Sequence, residues 1–325
     1  MTWLTWRQHR KQALYTLIAL AALAAVMLPT GLAMHQTFTK SGLAACLANL
    51  PTGQITSGNG PNDCSDLSQQ FRNQYSSMSF IAILFVILPA IVGMFFGAPL
   101  IAREIEAGTH RLVWTQGVSR RHWALVKFGV VGAVTLILAA VYTLGMDWWT
   151  QPLVAQGGQM GPIIFDIQGF APIGYTLFAV ALGVLASTQW KKVLPAMGIT
   201  LAGYAVIRIL IETLVRPHYM SPLTASIPIT SNNQFNSNSK DWTLSQGIIN
   251  GAGKLVVPND QIGCGGGGCD AGLTAHGYGA GPFSNWQQYQ PESRFWAFQG
   301  IETGIFLALT AVLLYLAIRR IRRIS

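Results

Sequence analysis

Long uncharged stretches alternate with short polar ones along this chain, and the pattern predicts six membrane-spanning helices. A helix needs about 20 apolar residues to cross the hydrocarbon core of a bilayer. Four of the stretches carry no charge, and the other two carry charge only near one end. The predicted spans are 13–34, 79–102, 128–146, 167–190, 193–215 and 295–318. The predicted fold class is therefore an all-α integral membrane protein.

The segments between the spans complete the predicted organisation. Residues 1–12 are predicted to form a cytosolic interfacial helix, because Trp and Arg recur there at roughly helical spacing; a frayed terminus is the alternative. The first span has the basic lead of a signal peptide, but it is too long and no small-x-small cleavage pattern follows it. The remaining segments are outside loop 1 (35–78), a cytosolic linker (103–127), outside loop 2 (147–166), outside loop 3 (216–294) and a basic cytosolic tail (319–325).

The distribution of charge orients the helices. Only 10% of the residues are charged, against about 25% in a typical soluble domain. Two thirds of the Lys and Arg residues fall in segments that are cytosolic if both termini lie inside, as the positive-inside rule requires. These basic residues are dispersed at helix ends and form no single stripe, which argues against nucleic-acid binding. A multi-pass protein of the plasma membrane, with the lipid bilayer as a partner, is expected.

All four cysteines lie in predicted outside loops, where disulfides persist. The simplest pairing is within each loop, Cys46 with Cys64 and Cys264 with Cys269. The alternative is a metal site that includes His276, but two Cys and one His make an incomplete zinc set. We therefore expect disulfides and no bound metal.

Outside loops 2 and 3 give weaker signals. Loop 3 is rich in Asn, Ser, Gly and Gln, a composition that usually builds no core of its own. Its aromatic residues predict partial folding onto the helix bundle. The stretch 156–172 mixes Gly, Pro and apolar residues and predicts a re-entrant or interfacial element.

No catalytic motif is present, so the chain is not expected to be an enzyme by itself. The Gly-Lys pair at 253–254 lacks the first glycine and the Ser or Thr of a phosphate-binding loop. We expect no cofactor bound to this chain.

Three charges fall inside predicted spans: Arg208, Glu212 and Glu302. Arg208 and Glu212 are four residues apart and share a helix face, and Glu302 is expected at a comparable depth. Intramembrane charges usually face the bundle interior or a water-filled cavity. The functional interpretation is a substrate pathway or external gate. The alternative is a structural ion pair, or side chains that reach back to the interface.

The cytosolic linker has the pattern of a short surface helix. Gly108 can end the helix that continues from the second span, and Thr109 can cap a new helix that Gly117 ends. Leu112 and Trp114 give that helix an apolar surface, which suits a groove on a partner protein. A helix that lies on the membrane surface is the alternative.

The linker resembles the first cytosolic loop of ATP-binding-cassette (ABC) exporter permeases of the type-2 class, in the form seen in actinobacterial permeases. The string is AREIEAGTHRLVWTQGVSRR, preceded by FFGAPL. The class shows an acid-x-Gly-Thr followed by Ser-Arg about ten residues later. The matching residues here are Glu106, Gly108, Thr109, Ser119 and Arg120.

The resemblance implies one permease subunit of a larger exporter. A second permease subunit, identical or paralogous, would pair with it, and two separate ATP-binding subunits would hold ATP and Mg²⁺. A coupling helix at about 109–116 would transmit their movement and drive alternating access for an apolar or amphipathic, small-molecule or lipid-like substrate. The implied coupling residues are Arg103, Glu104, Glu106, Gly108, Thr109, Arg111, Leu112, Trp114, Ser119 and Arg120.

A second function stays open from the sequence. A membrane sensor or scaffold that binds a ligand through its outside loops would show the same spans without an ATP-binding partner. A secondary transporter is less well supported, because neither midplane charges nor an inverted repeat is evident.

Overall fold

The structure is a computed structural model, and it describes residues 2–49, 64–108, 120–190, 192–229, 240–262, 269–278 and 281–321. Helices make up most of it. In chain order they are α1 (Thr2–Lys40), α2 (Leu43–Ala48), α3 (Ser65–Tyr75), α4 (Met78–Val92), α5 (Pro99–Glu106), α6 (Arg120–Gly157), α7 (Pro162–Ile167), α8 (Ala171–Trp190), α9 (Val193–Leu210), α10 (Cys269–Ala275) and α11 (Phe295–Ile321).

Five helical stretches among the described residues are long and apolar enough to cross a membrane. They are Phe80–Glu106, His122–Gly157, Ala171–Trp190, Val193–His218 and Glu292–Ile321. A multi-pass membrane protein follows from these five. The remaining predicted span, 13–34, lies within α1, and the count of six stays a prediction.

Helix α8 is the centre of the bundle. It packs against α11, α9, α6 and the α4–α5 stretch, and most of its residues are buried. Apolar side chains of these helices form the main core around it, including Tyr175, Phe178 and Phe306. In the other four candidate spans at most about a third of the residues in the most apolar window are buried, as expected of helices that face lipid.

A π-helical turn, Gly93–Gly97, joins α4 to α5 within the second predicted span and packs closely on α8. A Cβ atom on Gly97 would lie 2.4 Å from the carbonyl oxygen of Val180, and one on Gly93 would lie 2.5 Å from the backbone of Ala179. From the α8 side, Gly183 faces the same turn, where a Cβ would lie 2.6 Å from the amide nitrogen of Ala98. Small residues let membrane helices approach to backbone contact, so these glycines set the spacing between the two helices.

A second core lies between α1, α2, α3, α4 and α6. Met34, Leu43, Met146 and Trp149 are fully buried there. The indole of Trp149 donates a hydrogen bond to Thr30 Oγ1 at 3.0 Å, so this polar group is satisfied where α1 and α6 meet.

The segment predicted as outside loop 3 folds into an antiparallel sheet, which corrects the expectation of polar loops without a core. The strands are β1 (Leu223–Pro228), β2 (Trp242–Ile249), β3 (Leu255–Pro258) and β4 (Ser284–Gln290), in the order β1-β4-β2-β3. Ile248 and Phe283 are fully buried in a small core that Ile229 and Leu273 complete. The helical part of the fold class agrees with the structure, and the sheet is an addition to it.

Short hydrogen bonds attach the sheet to the helices. The Gln290 amide at the end of β4 donates to the carbonyl of Met220 at 2.7 Å. The Arg294 guanidinium, just before α11, donates to the carbonyl of Ser221 and to Gln290 Oε1, each at 2.7 Å. The segments that enter and leave the sheet are therefore held together at its base.

Candidate functional site: a buried charge cluster

Four charged side chains from four elements meet at the bundle end that bears the sheet. Asp166 comes from α7, Arg208 from α9, Arg216 from a 3-10 turn (Arg216–His218) and Glu302 from α11. Each is at most 5% exposed. We call these four residues the charge cluster. Buried charges are costly unless they are paired and hydrogen-bonded, so their arrangement decides whether the site is stable.

Each arginine of the charge cluster bridges both carboxylates. Arg208 donates from Nη2 to Asp166 Oδ2 at 2.5 Å and from Nη1 to Glu302 Oε1 at 2.9 Å. Arg216 donates from Nη2 to Asp166 Oδ1 at 2.5 Å and to Glu302 Oε1 at 2.7 Å. Its Nε donates to Glu302 Oε2 at 2.8 Å. Two positive and two negative groups alternate, and the cluster carries no net charge.

The phenols of two tyrosines and the ring faces of Tyr175 and Phe165 complete the surroundings of the cluster. Arg216 lies 4.4 Å from the ring centroid of Phe165. The phenols of Tyr175 and Tyr219 donate to Glu302 Oε1 and Oε2 at 2.6 Å and 3.1 Å. Arg208 lies 3.9 Å from the ring centroid of Tyr175, a cation–π distance. Burial, and then the nearby Glu302 carboxylate, raise the pKa of Tyr219. The Tyr219 phenol therefore stays protonated at neutral pH and acts as a donor.

A second π-helical turn brings the two arginines onto one side. Arg208 and Arg216 are eight positions apart, and in a regular α-helix such positions point about 80° away from each other. The π-helical turn Ile211–Val215 lies between them and accommodates one extra residue. Arg216 then faces as a residue seven positions along would, within about 20° of Arg208. The turn is what allows both guanidinium groups to reach the same carboxylates.

Asp166 reaches the cluster because the C-terminal half of α7 is buried in the helix bundle. Pro162 occupies the first turn of α7, where the missing amide proton costs nothing. The Gln299 side chain of α11 accepts from the amide of Ala171 at 2.7 Å and donates to the carbonyl of Phe165 at 2.9 Å. The stretch predicted to be re-entrant or interfacial thus contains a short helix that is buried at its C-terminal half and fixed to α11 on both sides of the turn into α8.

The three intramembrane charges predicted from the sequence have different surroundings. Arg208 and Glu302 are central to the cluster. Glu212 lies 4.0 Å from Arg208 and its side chain is 35% exposed, so the predicted pair exists only as a weak contact at the edge. Asp166 and Arg216 were not predicted as site residues, because both fall at the borders of predicted outside loops, where charge is ordinary.

The predicted coupling residues are only partly described. Arg103 is exposed on α5, and Glu104 pairs with Lys127 of α6 at 2.5 Å. Glu106 accepts from the amide of Val193 at 3.4 Å, and Gly108 has a φ of 70° just after α5 ends. Thr109, Arg111, Leu112, Trp114 and Ser119 lie outside the described residues, and Arg120 is the first residue of α6.

The cysteines are described in part. Cys46 and Cys64 form a disulfide that ties α2 to the start of α3, with Cα atoms 6.0 Å apart. Cys264 lies outside the described residues, so its pairing with Cys269 stays a prediction. Within the described part of the chain, no group of three or more His, Cys, Asp or Glu side chains could hold a metal ion.

Comparison with known proteins gives one match that bears on the site. A family model described as ABC-2 membrane transporter related matches residues 17–216, more than half of the chain. The match contains three residues of the charge cluster, while Glu302 and the sheet lie beyond it. No curated protein and no solved structure matches the chain.

Proposed function

This chain belongs to the ABC-2 membrane transporter related family, and on that premise we propose that it is the permease subunit of an ABC exporter in the plasma membrane. The observation that carries the proposal is the extent of the match, which covers the cytosolic linker and four of the five membrane-spanning stretches in one continuous segment. The multi-pass architecture and the resemblance of the linker support the same conclusion.

Energy for transport would come from two ATP-binding subunits that carry ATP and Mg²⁺. Nucleotide needs only to bind one arrangement of the complex better than another to shift the population between them. In this proposal the linker around 109–116 docks on the ATP-binding subunit. A second permease subunit, identical or paralogous, completes the pathway, and the substrate is an apolar or amphipathic molecule.

We assign the charge cluster the role of a fixed joint between α7, α9 and α11. Separating its members would leave charges unpaired in a poorly polar environment, which costs about 3–5 kcal/mol for a buried pair. That is a large penalty to meet in every transport cycle. The elements joined by the cluster would therefore move as one body, and the outward opening would form along another surface of the permease.

The first test is purification of the chain from its native membranes in mild detergent, with copurifying proteins identified by mass spectrometry. We expect an ATP-binding subunit with nucleotide-binding motifs. If repeated purifications recover a monodisperse chain without such a subunit, the permease proposal fails and the sensor or scaffold function is favoured.

A substitution locates the docking surface. Trp114→Ala removes the predicted aromatic anchor of the linker and should reduce recovery of the ATP-binding subunit, because buried aromatic anchors dominate binding energy. Trp190→Ala is the matched control, since Trp190 is an exposed indole at the end of α8, outside the linker. Equal recovery with both variants would contradict the assigned docking surface.

A further inference from the structure

An ion pair within this chain joins the two sides of the cytosolic linker. Glu104 lies on α5 and Lys127 on α6, and the linker connects these helices. Lys127 Nζ is 2.5 Å from Glu104 Oε1. The Lys127 side chain is only 12% exposed and the Glu104 side chain only 21%. The same ammonium lies 4.9 Å from the ring centroid of Trp123. Exposed ion pairs contribute little, but this pair is largely withdrawn from water and has an aromatic neighbour.

The pair rests on a well-packed layer. Leu100 and Ile101 of α5 pack with Ala124 and Phe128 of α6 in a core that also includes residues of α8 and α11. Ile105, which follows Glu104, and Trp123, one helical turn before Lys127, pack against the same core. The two helices that carry the charged groups are therefore fixed against each other and against α8 and α11.

A second acid of the linker also has a partner within the chain. Glu106 Oε2 accepts from the amide of Val193, the first residue of α9, at 3.4 Å. The capping residue Lys192 makes no side-chain hydrogen bond to that helix end. A carboxylate at a helix N-terminus is favourable. Both acids at the end of α5 thus contact their own chain, at positions where the resemblance implied contacts with an ATP-binding subunit.

We propose that Glu104 and Lys127 form a linker clasp, a pair of positioning residues that holds the two ends of the linker together on the packed layer. The clasp fixes the direction in which the docking segment leaves the membrane, and Glu104 does not itself contact the ATP-binding subunit. This inference rests on the proposed function for its effect on transport, whereas the clasp itself is a property of this chain alone.

Limited proteolysis tests the clasp without any partner. The full chain is placed in inside-out vesicles and cleaved with chymotrypsin, which cuts after large apolar residues such as Leu112 and Trp114. Glu104→Lys and Lys127→Glu should each raise the cleavage rate by about fivefold. Loss of the ion pair lowers the free energy needed for local opening of the linker, and only the opened linker is cleaved. The double swap, Glu104→Lys with Lys127→Glu, should restore a rate close to that of the unaltered chain. No variant creates or removes a cleavage site.

Arg320→Glu is the matched control, because it changes one exposed charge near the end of α11, outside the clasp, and should leave cleavage unchanged. The milder variants Glu104→Gln and Lys127→Gln cover the case in which a charge reversal prevents insertion, and each should raise cleavage by a smaller factor. The clasp is overturned if Lys127→Glu or Lys127→Gln is cleaved as slowly as the unaltered chain, or if the double swap is cleaved as fast as Glu104→Lys.

ATPase activity of the copurified complex then separates the two proposals. If Glu104 positions the linker, the double swap restores activity that Glu104→Lys loses. If Glu104 contacts the ATP-binding subunit directly, the double swap stays inactive and the positioning role fails. Restored protection from chymotrypsin with no ATP-binding subunit recovered would support the clasp and reject the proposed function.

Discussion

Arg216 and Glu302 form a two-point ion pair in which Nε donates to Oε2 at 2.8 Å and Nη2 to Oε1 at 2.7 Å. Arg216 begins the segment that leads into the sheet, and Glu302 lies about two turns inside the last helix. The pair therefore binds the start of the sheet-bearing segment to the helix that follows it. Its geometry is the planar, bidentate kind that arginine makes with a carboxylate.

Neutralising Glu302 should destabilise the protein strongly. Glu302→Gln would leave two buried arginines with one carboxylate, and breaking a buried pair in this way costs about 3–5 kcal/mol. Thermal unfolding of the purified protein in detergent should show a clear fall in Tm. Glu212→Gln is the control, since that acid is partly exposed and 4.0 Å from Arg208; its effect should stay below about 1 kcal/mol. Similar losses for the two variants would contradict the central role of Glu302.

Replacing Arg216 and Glu302 together should lower the free energy of unfolding by less than the sum of the two single effects. In Arg216→Gln with Glu302→Gln the cluster is neutral again, because Asp166 and Arg208 remain as a pair 2.5 Å apart. We expect a favourable coupling energy of about 1–3 kcal/mol in a double-mutant cycle, measured by the same unfolding assay. Strict additivity of the two single effects would show that the residues act independently.

Inserting one residue directly after the π-helical turn should break the cluster without altering any charge. An alanine inserted between Val215 and Arg216 would rotate Arg216 by about 100° around the helix axis, away from Glu302, because each helical residue turns by that angle. The loss of stability should approach that of Arg216→Gln. Thr213→Ala is the control, because its hydroxyl bonds only to the carbonyl of Ile209 on its own helix. An insertion variant as stable as Thr213→Ala would refute the claim that the alignment of Arg208 and Arg216 holds the cluster together.

A methyl group at the contact between the second span and α8 should force the helices apart. Gly97→Ala places a Cβ 2.4 Å from the carbonyl oxygen of Val180, and overpacking of this kind costs about 1–3 kcal/mol. Gly132→Ala on α6 is the matched control, because a Cβ there meets nothing within 4 Å. Thermal unfolding should separate the two variants. Equal Tm values would mean that the helices can part at little cost.

The spans were predictable because hydrocarbon imposes a simple rule on composition. Long uncharged runs can be recognised without any knowledge of the fold, and a charge inside such a run, as at Arg208 and Glu302, stands out for the same reason. Asp166 and Arg216 carry no such signal, since each lies at the edge of a polar segment. Their role depends on how α7 and the π-helical turn fold back, and local sequence does not encode that.

The sheet was missed for a different physical reason. Strand prediction relies on apolar side chains that alternate toward the core, but β4 reads SNWQQYQ and buries Asn285, Gln287 and Gln290. Asn285 uses its amide to pair with both backbone groups of Ile262, so a polar side chain takes the place of a strand neighbour. A pattern that places polar groups inward looks like a loop until the hydrogen-bond partners are known.

The enclosure of α8 also has a consequence for biogenesis. Among the five spanning stretches α8 has the lowest mean hydropathy and the most buried surface, with Thr176, Ser187 and Thr188 turned inward. A segment of this kind gains less from lipid contact than its neighbours when it leaves the translocon. Its stable insertion in the bilayer therefore depends on packing against the helices that are synthesised before and after it. Truncation of the nascent chain before α9 and α11 should leave α8 exposed to quality-control proteases.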